Sequence, residues 1–325
     1  MKLRRLITTA LAAALTLTMT ASIASCGSTA KYTVGICQLV QHPALDAATE
    51  GFKAALTDKL GKDVAFDYQN ASNDSATCGV IVNKFVSSGK VDLIMANATP
   101  ALQAAAAATA NIPIVATSIT DYATALEIDN WNGTTGRNIT GTSDLAPLAE
   151  QAAMIKELCP NAKTVGILYC SSEANSKYQA NIVAAELKKL GISSKEYTSA
   201  DSNDLAAVVT SACKDVDVLY VPTDNTIASN ASIIDSIALP AGIPVVSGEE
   251  GICKGCGIAT LSIDYYSIGY NAGLMAYEIL VNGANPAELE VGFADKLTKE
   301  YSPSRCQKLG ITVPDDYTAL DESAE

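Results

Sequence analysis

Short apolar runs alternate with segments of helical periodicity along most of the chain. Residues 216–221 are rich in Val and Leu, are too few to form a helix, and end at Pro222. A polar turn at residues 223–226 and a helical pattern follow. This order predicts a buried strand, a turn and the start of a helix. Residues 91–102 repeat the same arrangement.

Two further landmarks indicate that the chain contains a duplicated unit. The sequence TVGI at residues 33–36 recurs at residues 164–167, and IPIV at residues 112–115 recurs as IPVV at residues 243–246. Because the landmarks keep the same order in both halves, we expect two copies of one fold. Duplication of the fold does not require that both copies have the same function.

The alternation predicts a parallel sheet in each half of the chain. In the first half the predicted strands are residues 33–39, 64–69, 91–96, 112–116 and 139–142, and the predicted helices are residues 44–60, 74–88 and 100–110. In the second half the predicted strands are residues 164–169, 194–198, 216–221 and 243–247, and the predicted helices are residues 147–158, 175–190, 202–213 and 226–236. Such strands are joined by right-handed crossovers and are covered by helices on both faces. We therefore predict an α/β fold of two similar doubly wound parallel-sheet lobes, joined by a hinge at residues 138–144.

The first 25 residues have the pattern of a secretory signal peptide. Lys2, Arg4 and Arg5 precede an apolar stretch at residues 6–23, and IASC follows at residues 23–26. A basic start, a modest apolar segment and small residues before a cleavage point are typical of such a signal. A permanent transmembrane anchor is the alternative, although the Thr content and the cysteine argue against it. The four residues resemble the bacterial lipobox, which implies that Cys26 is lipidated and that residues 26–31 form a tether to the membrane surface.

The charge of the chain argues against one class of partner. The sequence has 22 Lys and Arg residues against 35 Asp and Glu residues, a formal charge of −13 at pH 7. Binding to nucleic acid needs a basic surface, so we expect no nucleic-acid partner. A length of 325 residues suits two lobes of ordinary domain size.

Among the cysteines after Cys26, only Cys253 and Cys256 lie close together in sequence. A zinc site would need a second close pair or several histidines, and the chain has a single histidine. We therefore expect no metal. The pair falls in a glycine-rich segment that we predict to be a loop, where a local disulfide and two free thiols both fit the sequence.

Polar residues follow several predicted strands at their carboxyl ends. Ligands of open parallel sheets bind beyond these ends, and two facing sheets would bring both sets of residues to one cleft. The candidate ligand-binding residues are Gln38, Thr99, Thr117, Ser118, Asp121, Ser172, Glu173, Asn175, Ser176, Thr223, Asp224, Glu249 and Asp264. Most of them lie at strand-to-helix turns, so helix capping is the alternative role.

The chemistry of these candidates favours an amino acid as the ligand. Thr99 and Pro100 predict a helix with Thr99 at its N-cap, where free backbone N–H groups attract a carboxylate. Asp224, Glu249 or Asp264 on the opposite wall would pair with an ammonium group. A free amino acid carries both groups.

Enzymatic activity is disfavoured by the motifs that the sequence lacks. A Ser-His-Asp triad would have to use His42, which we expect to be a partly exposed residue before a helix. The sequence contains no G-x-S-x-G, no P-loop and no dinucleotide-binding fingerprint. We therefore predict that the protein is not an enzyme and needs no cofactor.

Six motifs occur in order along nearly the whole chain after residue 26. They are QHPALD at residues 41–46, NITG at 138–141, SEANS at 172–176, VPTDNT at 221–226, GEEG at 248–251 and IDYYSIG at 263–269. In these motifs the chain resembles the ABC-transporter substrate-binding lipoproteins of the tryptophan/tyrosine-transport type. The resemblance implies a type I periplasmic-binding-protein-like fold with three crossovers. It assigns residues 32–142 and 264–285 to lobe 1 and residues 143–263 and 286–325 to lobe 2.

The resemblance also implies a function and a location. The protein would capture a small molecule, an amino acid and in some relatives an aromatic one, by hinge closure, and would deliver it to an ABC permease and its ATPase. We expect a monomer, lipid-anchored on the outer face of the bacterial cytoplasmic membrane. Motif position marks as cleft residues Ser172, Glu173, Asn175, Ser176, Thr223, Asp224 and Asp264. A ligand-sensing lipoprotein and a sugar or nucleoside binder of the same fold are alternatives, and a secreted hydrolase is a weaker one.

Overall fold

The computed structural model describes residues 30–294 and 296–321. The predicted signal peptide, the lipidation site Cys26 and most of the predicted tether lie outside these residues. Within them, no helix has both the length and the apolar character needed to cross a membrane. The described chain forms two lobes, each built on one mainly parallel sheet.

Lobe 1 contains a five-stranded parallel sheet in the order β2-β1-β3-β4-β5. The strands are β1 (Tyr32–Gln38), β2 (Val64–Asn70), β3 (Leu93–Asn97), β4 (Ile114–Ile119) and β5 (Ile139–Ser143). The helices between them are α1 (Pro43–Leu60), α2 (Ser75–Ser88), α3 (Thr99–Ala108) and the short α4 (Tyr122–Leu126), which the sequence did not predict. Every residue of β3 and β4 is buried, as expected for central strands covered on both faces.

Lobe 2 contains a seven-stranded sheet in the order β12-β11-β10-β9-β8-β6-β7. Its strands are β6 (Thr164–Cys170), β7 (Ser193–Ser199), β8 (Val218–Val221), β9 (Val245–Ser247), β10 (Ala259–Ile263), β11 (Leu297–Tyr301) and β12 (Thr318–Ala319). Among the described strands, β11 pairs antiparallel with β10, and β12 pairs parallel with β11, so the last two strands run against the rest of the sheet. Its helices are α5 (Leu148–Leu158), α6 (Ala174–Lys189), α7 (Leu205–Ala212), α8 (Asn225–Ala228), α9 (Ala231–Ala238), α10 (Glu250–Cys256) and α12 (Pro303–Leu309). The intervening helix α11 (Tyr265–Asn282) belongs to lobe 1.

Two predicted elements of lobe 2 are wrong. The helix expected at residues 226–236 is two helices, α8 and α9, because Ser229 and Asn230 bond with their side chains to backbone carbonyls four residues earlier. The segment around Cys253 and Cys256 is helix α10 rather than a loop. Both cysteines are buried and unpaired there, and they lie on the same apolar side as Ile252.

Helix α11 (Tyr265–Asn282) follows lobe 2 in sequence but packs along α1 in lobe 1. Glycines allow the close approach of the two helices. A Cβ added at Gly51 would lie 2.1 Å from the carbonyl oxygen of Tyr266, and one added at Gly269 would lie 2.0 Å from that of Ala48. The backbones therefore touch where any side chain would hold them apart.

Three segments pass between the lobes, at residues 144–147, at Asp264 and after α11. The third keeps its contacts with lobe 1 as far as Gly292, whose N–H and C=O bond to Gly141 and Ser143. The return to lobe 2 therefore comes later than the predicted residue 286. The predicted fold class, two α/β lobes with a three-crossover hinge, is confirmed.

Candidate functional site

The lobes contact each other along the carboxyl ends of their parallel strands. His42 Nε2, in the loop after β1, lies 3.2 Å from Asn225 Oδ1 at the start of α8. Asn73 Nδ2, before α2, donates to Thr226 Oγ1 at 3.0 Å. Helix α4 also packs against α6. The cleft between the lobes is therefore closed in this structure.

Glu173 organises the lobe 2 side of the cleft. It lies between β6 and α6 and is 3% exposed. Its Oε2 accepts from Asn225 N at 3.0 Å, from Asn225 Nδ2 at 2.7 Å and from Asn175 Nδ2 at 3.1 Å. Its Oε1 accepts from Thr226 N at 2.7 Å and from Thr226 Oγ1 at 2.8 Å. One carboxylate thus sets the orientation of the two side chains that meet lobe 1.

The carboxylates expected to pair with a ligand ammonium are helix caps. Asp224 caps α8, accepting from Ile227 N at 2.8 Å and from Cys170 N at 2.7 Å. Glu249 caps α10 by accepting the N–H groups of Gly251 and Ile252, and Asp264 is exposed and caps α11. The capping role is therefore the one that the structure supports for all three residues.

Burial raises the pKa values of the two buried capping residues, Asp224 and Glu249. Asp224 is 1% exposed, and its burial together with the neighbouring Glu173 raises the pKa of its carboxyl well above the usual range. Burial likewise raises the pKa of Glu249 to about 7, against the opposing effect of its two backbone donors. Both carboxyls are enclosed by the protein and are not exposed to solvent.

Two candidates in lobe 1 belong to internal networks. Gln38 accepts from Thr49 Oγ1 at 2.6 Å and donates to Asp46 Oδ1 at 2.6 Å, and it is fully buried. Thr117 accepts from Thr142 Oγ1 at 2.9 Å and is also fully buried. Their contacts order the sheet and α1 behind the cleft.

Backbone strain marks the carboxyl ends of β3 and β4. Ala98 has φ +84° and Ser118 has φ +57°, in the region that L side chains rarely adopt. The expectation that Thr99 is the N-cap of α3 is wrong, because Ala98 occupies that position and Thr99 is the first helical residue. Strained residues that the fold enforces cluster at binding and catalytic sites, and these two are adjacent, with Ala98 N donating to Thr117 O at 3.2 Å.

Five deeply buried side chains at or just after strand ends carry a polar atom without a partner among the described residues. Two are Asn97 Oδ1 at the end of β3 and Ser199 Oγ at the end of β7, and the other three are His42 Nδ1 after β1, Ser118 Oγ at the end of β4 and Asn175 Oδ1 at the start of α6. These last three residues are 8%, 5% and 6% exposed. Buried polar atoms in proteins are almost always hydrogen-bonded, so each such exception needs an explanation.

The remaining candidates lie around the same loops. Ser172 is exposed, with its Oγ 3.1 Å from Cys170 Sγ, and Asp121 caps α4 through Thr124 N at 2.7 Å. Ser176 Oγ and Asn175 Nδ2 both donate to the carbonyl of Thr223. Burial raises the pKa of Tyr178 in the other lobe, and the facing carboxylate of Asp121 adds to this shift.

Several residues of the seam between the lobes were not among the candidates. They are His42, Asn73, Tyr178, Asn225 and Thr226. His42 is buried rather than partly exposed. The polar turn at residues 223–226 was a signal for two of them, but no sequence pattern separates a side chain that spans the seam from one that caps a helix.

A buried cluster holds two of the crossovers together. Asp144 accepts from Tyr265 Oη at 3.0 Å and from Thr120 Oγ1 at 3.1 Å. Burial raises the pKa of Asp144 to about 6, although both hydroxyl donors oppose the shift. The hinge therefore contains an acid that titrates close to neutrality.

A groove of about 440 Å³ flanks the cleft near this hinge. The N-terminal turn of α1, the N-terminal turn of α10 and the amino end of β11 line it, with Glu249 and Asp264 among its residues. Its lining is distinct from the strand ends that carry His42, Ser118 and Asn175. The unpartnered atoms and the strained backbone make those strand ends the candidate site.

A model of the family described as ABC transporter substrate binding protein matches residues 33–324. The chain belongs to this family. It is 40% identical over 266 residues to a tyrosine-binding protein of Clostridioides difficile, an alignment that covers 81% of this chain and 76% of the relative. Members of the family are extracytoplasmic binding components of ABC transporters, so this chain binds a small molecule, works with a transporter and is not an enzyme.

Solved structures share the fold. An ABC domain from Streptococcus pneumoniae in complex with L-Trp is 32% identical, with a TM-score of 0.84 and coverage of 89% of this chain and 99% of that one. The ligand-free, open structure of a substrate binding protein with adhesive properties from Clostridium difficile is 36% identical, with a TM-score of 0.68 and the same coverage. A leucine binding protein from Thermotoga maritima, at 15% identity and a TM-score of 0.61, shares the fold alone.

Proposed function

We propose that this substrate-binding protein captures an aromatic amino acid, tyrosine or tryptophan, in the cleft between its lobes. Closure of the lobes over the ligand presents the loaded protein to the permease of an ABC transporter, whose ATPase drives uptake. A ligand that contacts both lobes selects the closed form, because only that form makes both sets of contacts.

Three of the unpartnered polar atoms carry this proposal. His42 and Ser118 belong to lobe 1 and Asn175 belongs to lobe 2, and all three follow the carboxyl ends of parallel strands, the end of each sheet at which the lobes meet. A polar ligand enclosed between the lobes would satisfy them and remove the cost of burying them unpaired. An apolar solute would leave them as they are.

The relatives support both the ligand class and the closed state. A tyrosine-binding protein and a structure in complex with L-Trp are among the similar proteins. The chain is more identical to the open structure than to the L-Trp complex, yet its TM-score is lower, 0.68 against 0.84. A difference in lobe arrangement explains the reversal, since TM-score falls when whole lobes move relative to each other.

The ammonium group of the ligand meets a different partner from the one that the sequence suggested. The carboxylate oxygens of Asp224 and Glu249 accept hydrogen bonds from backbone N–H groups, and Asp264 is exposed. Glu173 lies one hydrogen bond behind Asn175 and Asn225. Its charge polarises these amides, so neutral acceptors at the cleft surface can hold a cation without direct ion pairing.

The N-terminal sequence supports a location at the membrane surface. Cleavage before Cys26 and lipidation of this cysteine would anchor a monomer at the outer face of the cytoplasmic membrane, within reach of the permease. Radiolabelled palmitate incorporated into the wild-type chain and absent from a Cys26→Ala variant would support this anchor. Release of the wild-type protein into the medium as a soluble form would contradict it.

Isothermal titration calorimetry on residues 27–325 tests the ligand. We expect saturable, one-site binding of L-tyrosine or L-tryptophan and none of D-glucose. A ligand at one hundred times its Kd also adds about 2.7 kcal/mol to the free energy of unfolding, so melting gives an independent measure. Binding of a sugar or nucleoside without binding of any aromatic amino acid would refute the proposal.

A further inference from the structure

The hydrogen bonds around His42 determine which of its ring nitrogens carries the proton. Asn225 Nδ2 donates to Glu173 Oε2 at 2.7 Å, so the other end of that amide is its oxygen. That oxygen lies 3.2 Å from His42 Nε2. Because an amide oxygen only accepts, Nε2 must carry the hydrogen. Burial lowers the pKa of His42, which keeps the ring neutral.

A neutral imidazole with a proton on Nε2 has a bare lone pair on Nδ1. In His42 that atom is buried and has no partner among the residues that the structure describes. The same ring therefore has one nitrogen engaged in the bond between the lobes and one acceptor left over.

Asn175 presents a second acceptor, and the same carboxylate orients it. Its Nδ2 donates to Glu173 Oε2 at 3.1 Å and to the carbonyl of Thr223 at 3.2 Å. These acceptors fix the amide so that Oδ1 is the remaining atom, and Oδ1 is buried without a partner in the described chain. Glu173 is thus connected to both acceptors, directly to Asn175 and through Asn225 to His42.

We propose that His42 Nδ1 and Asn175 Oδ1 are specificity-determining acceptors, each taking a hydrogen bond from an N–H or O–H group of the ligand. This inference rests on the proposed function and adds the ligand chemistry to it: the solute must carry donors that reach both lobes. His42 then contributes to both closure and recognition, because one ring nitrogen bonds to the other lobe while the second accepts from the ligand. A solute without donors gains nothing from either atom.

An aromatic amino acid has two sources of such donors, the ammonium group and the polar side-chain group. Three ligands separate them. L-Tyrosine carries both, L-phenylalanine lacks the phenol hydroxyl, and 3-(4-hydroxyphenyl)propionate lacks the ammonium. One analogue lacks the donor that bonds to Nδ1, and its affinity should not change when His42 is replaced by glutamine.

Two variants of His42 separate its ring nitrogens. In His42→Gln the terminal amide nitrogen takes the place of Nε2 and can still donate to Asn225, while the Nδ1 acceptor is lost. In His42→Asn the amide oxygen takes the place of Nδ1, while the side chain is too short to reach Asn225. The second variant is the matched control, since it keeps the acceptor and loses the bond between the lobes.

Calorimetry of the wild type and both variants with the three ligands tests the inference. We expect His42→Gln to weaken the binding of L-tyrosine at least tenfold and to leave the affinity for one of the two analogues unchanged. His42→Asn should weaken all three ligands by a similar factor and keep their ranking. Equal weakening of all three ligands in His42→Gln, or no weakening, would overturn the inference while leaving the proposed function intact. A wild-type chain that binds none of the three contradicts both.

The tautomer gives an independent check. His42 is the only histidine in the sequence, so its ring nitrogens give a single set of nitrogen-15 signals. With L-tyrosine bound, we expect protonated Nε2 and an unprotonated Nδ1 whose signal is shifted by an accepted hydrogen bond. A proton on Nδ1 in that complex would overturn the assignment.

Discussion

Replacing Glu173 by glutamine tests the role of this carboxylate in lobe 2. The wild-type side chain accepts five hydrogen bonds, three at Oε2 and two at Oε1. A glutamine can place its carbonyl oxygen where Oε2 lies in the wild type, but its NH2 group then takes the place of Oε1 and faces the backbone N–H of Thr226. The hydroxyl of Thr226 can rotate to accept a bond, whereas the N–H cannot.

The expected change in the free energy of unfolding follows from these contacts. One buried donor left without an acceptor costs about 1–3 kcal/mol. The three bonds that remain change from charge-assisted to neutral and lose about half of their strength, while the amide is cheaper to bury than the carboxylate. We therefore expect Glu173→Gln to lower the free energy of unfolding by about 2–4 kcal/mol, a large part of the 5–15 kcal/mol that is typical of a folded protein.

Urea unfolding followed by far-UV circular dichroism, without ligand, measures this change. All five bonds lie within lobe 2, so the loss does not depend on closure of the cleft. Glu150→Gln is the control, since Glu150 is exposed on α5, and it should change stability by less than about 0.5 kcal/mol. A Glu173→Gln protein as stable as this control would refute the reasoning.

Three further changes have expected outcomes. Burial raises the pKa of Asp144 to about 6, so the folded chain holds a proton that the unfolded chain releases at lower pH, and stability falls as pH rises from 4 to 6. The free energy of unfolding of Asp144→Asn should exceed that of the wild type by about 1–3 kcal/mol at pH 7.5, and the two should be equal at pH 4. An equal difference at both pH values would contradict this reasoning. In urea unfolding, Gly269→Ala should lower the free energy of unfolding by about 3 kcal/mol, whereas Gly79→Ala, with open space at its Cβ, should raise it by about 0.5–1 kcal/mol. Asn73→Gly keeps a residue that tolerates φ +65° and removes the bond to Thr226, so calorimetry should show affinity weakened about threefold to tenfold with unchanged melting of the ligand-free protein.

Periodicity predicted the parallel core well because burial dictates it. The central strands β3 and β4 are covered on both faces, so their sequences are continuous apolar runs that cannot be confused with a loop. Helix α10 was not predicted because it is short and contains two glycines. Its stability depends on the Glu249 cap and on a buried side that packs only in the tertiary structure. Local pattern alone does not contain that information.

The candidate site was predicted as a region rather than as a set of contacts. Strand-end positions gave Ser118 and Asn175, which the structure leaves with unpartnered polar atoms, and also Gln38 and Thr117, which bond internally. The same residue types serve as caps and as ligand contacts, because both roles need a short polar side chain at a turn. Only the hydrogen-bond partners distinguish them, and those depend on long-range packing.

The placement of α11 has a consequence for how the chain reaches its native state. Its residues Ala272, Ala276 and Ile279 complete the apolar cluster that β1, β3 and α1 begin. The N-terminal half of the protein therefore cannot finish its own interior until the ribosome has made residue 282, and a fragment ending at residue 263 would expose Phe52 and Leu56 to water. Folding of lobe 1 therefore depends on a segment that the chain reaches only after most of lobe 2.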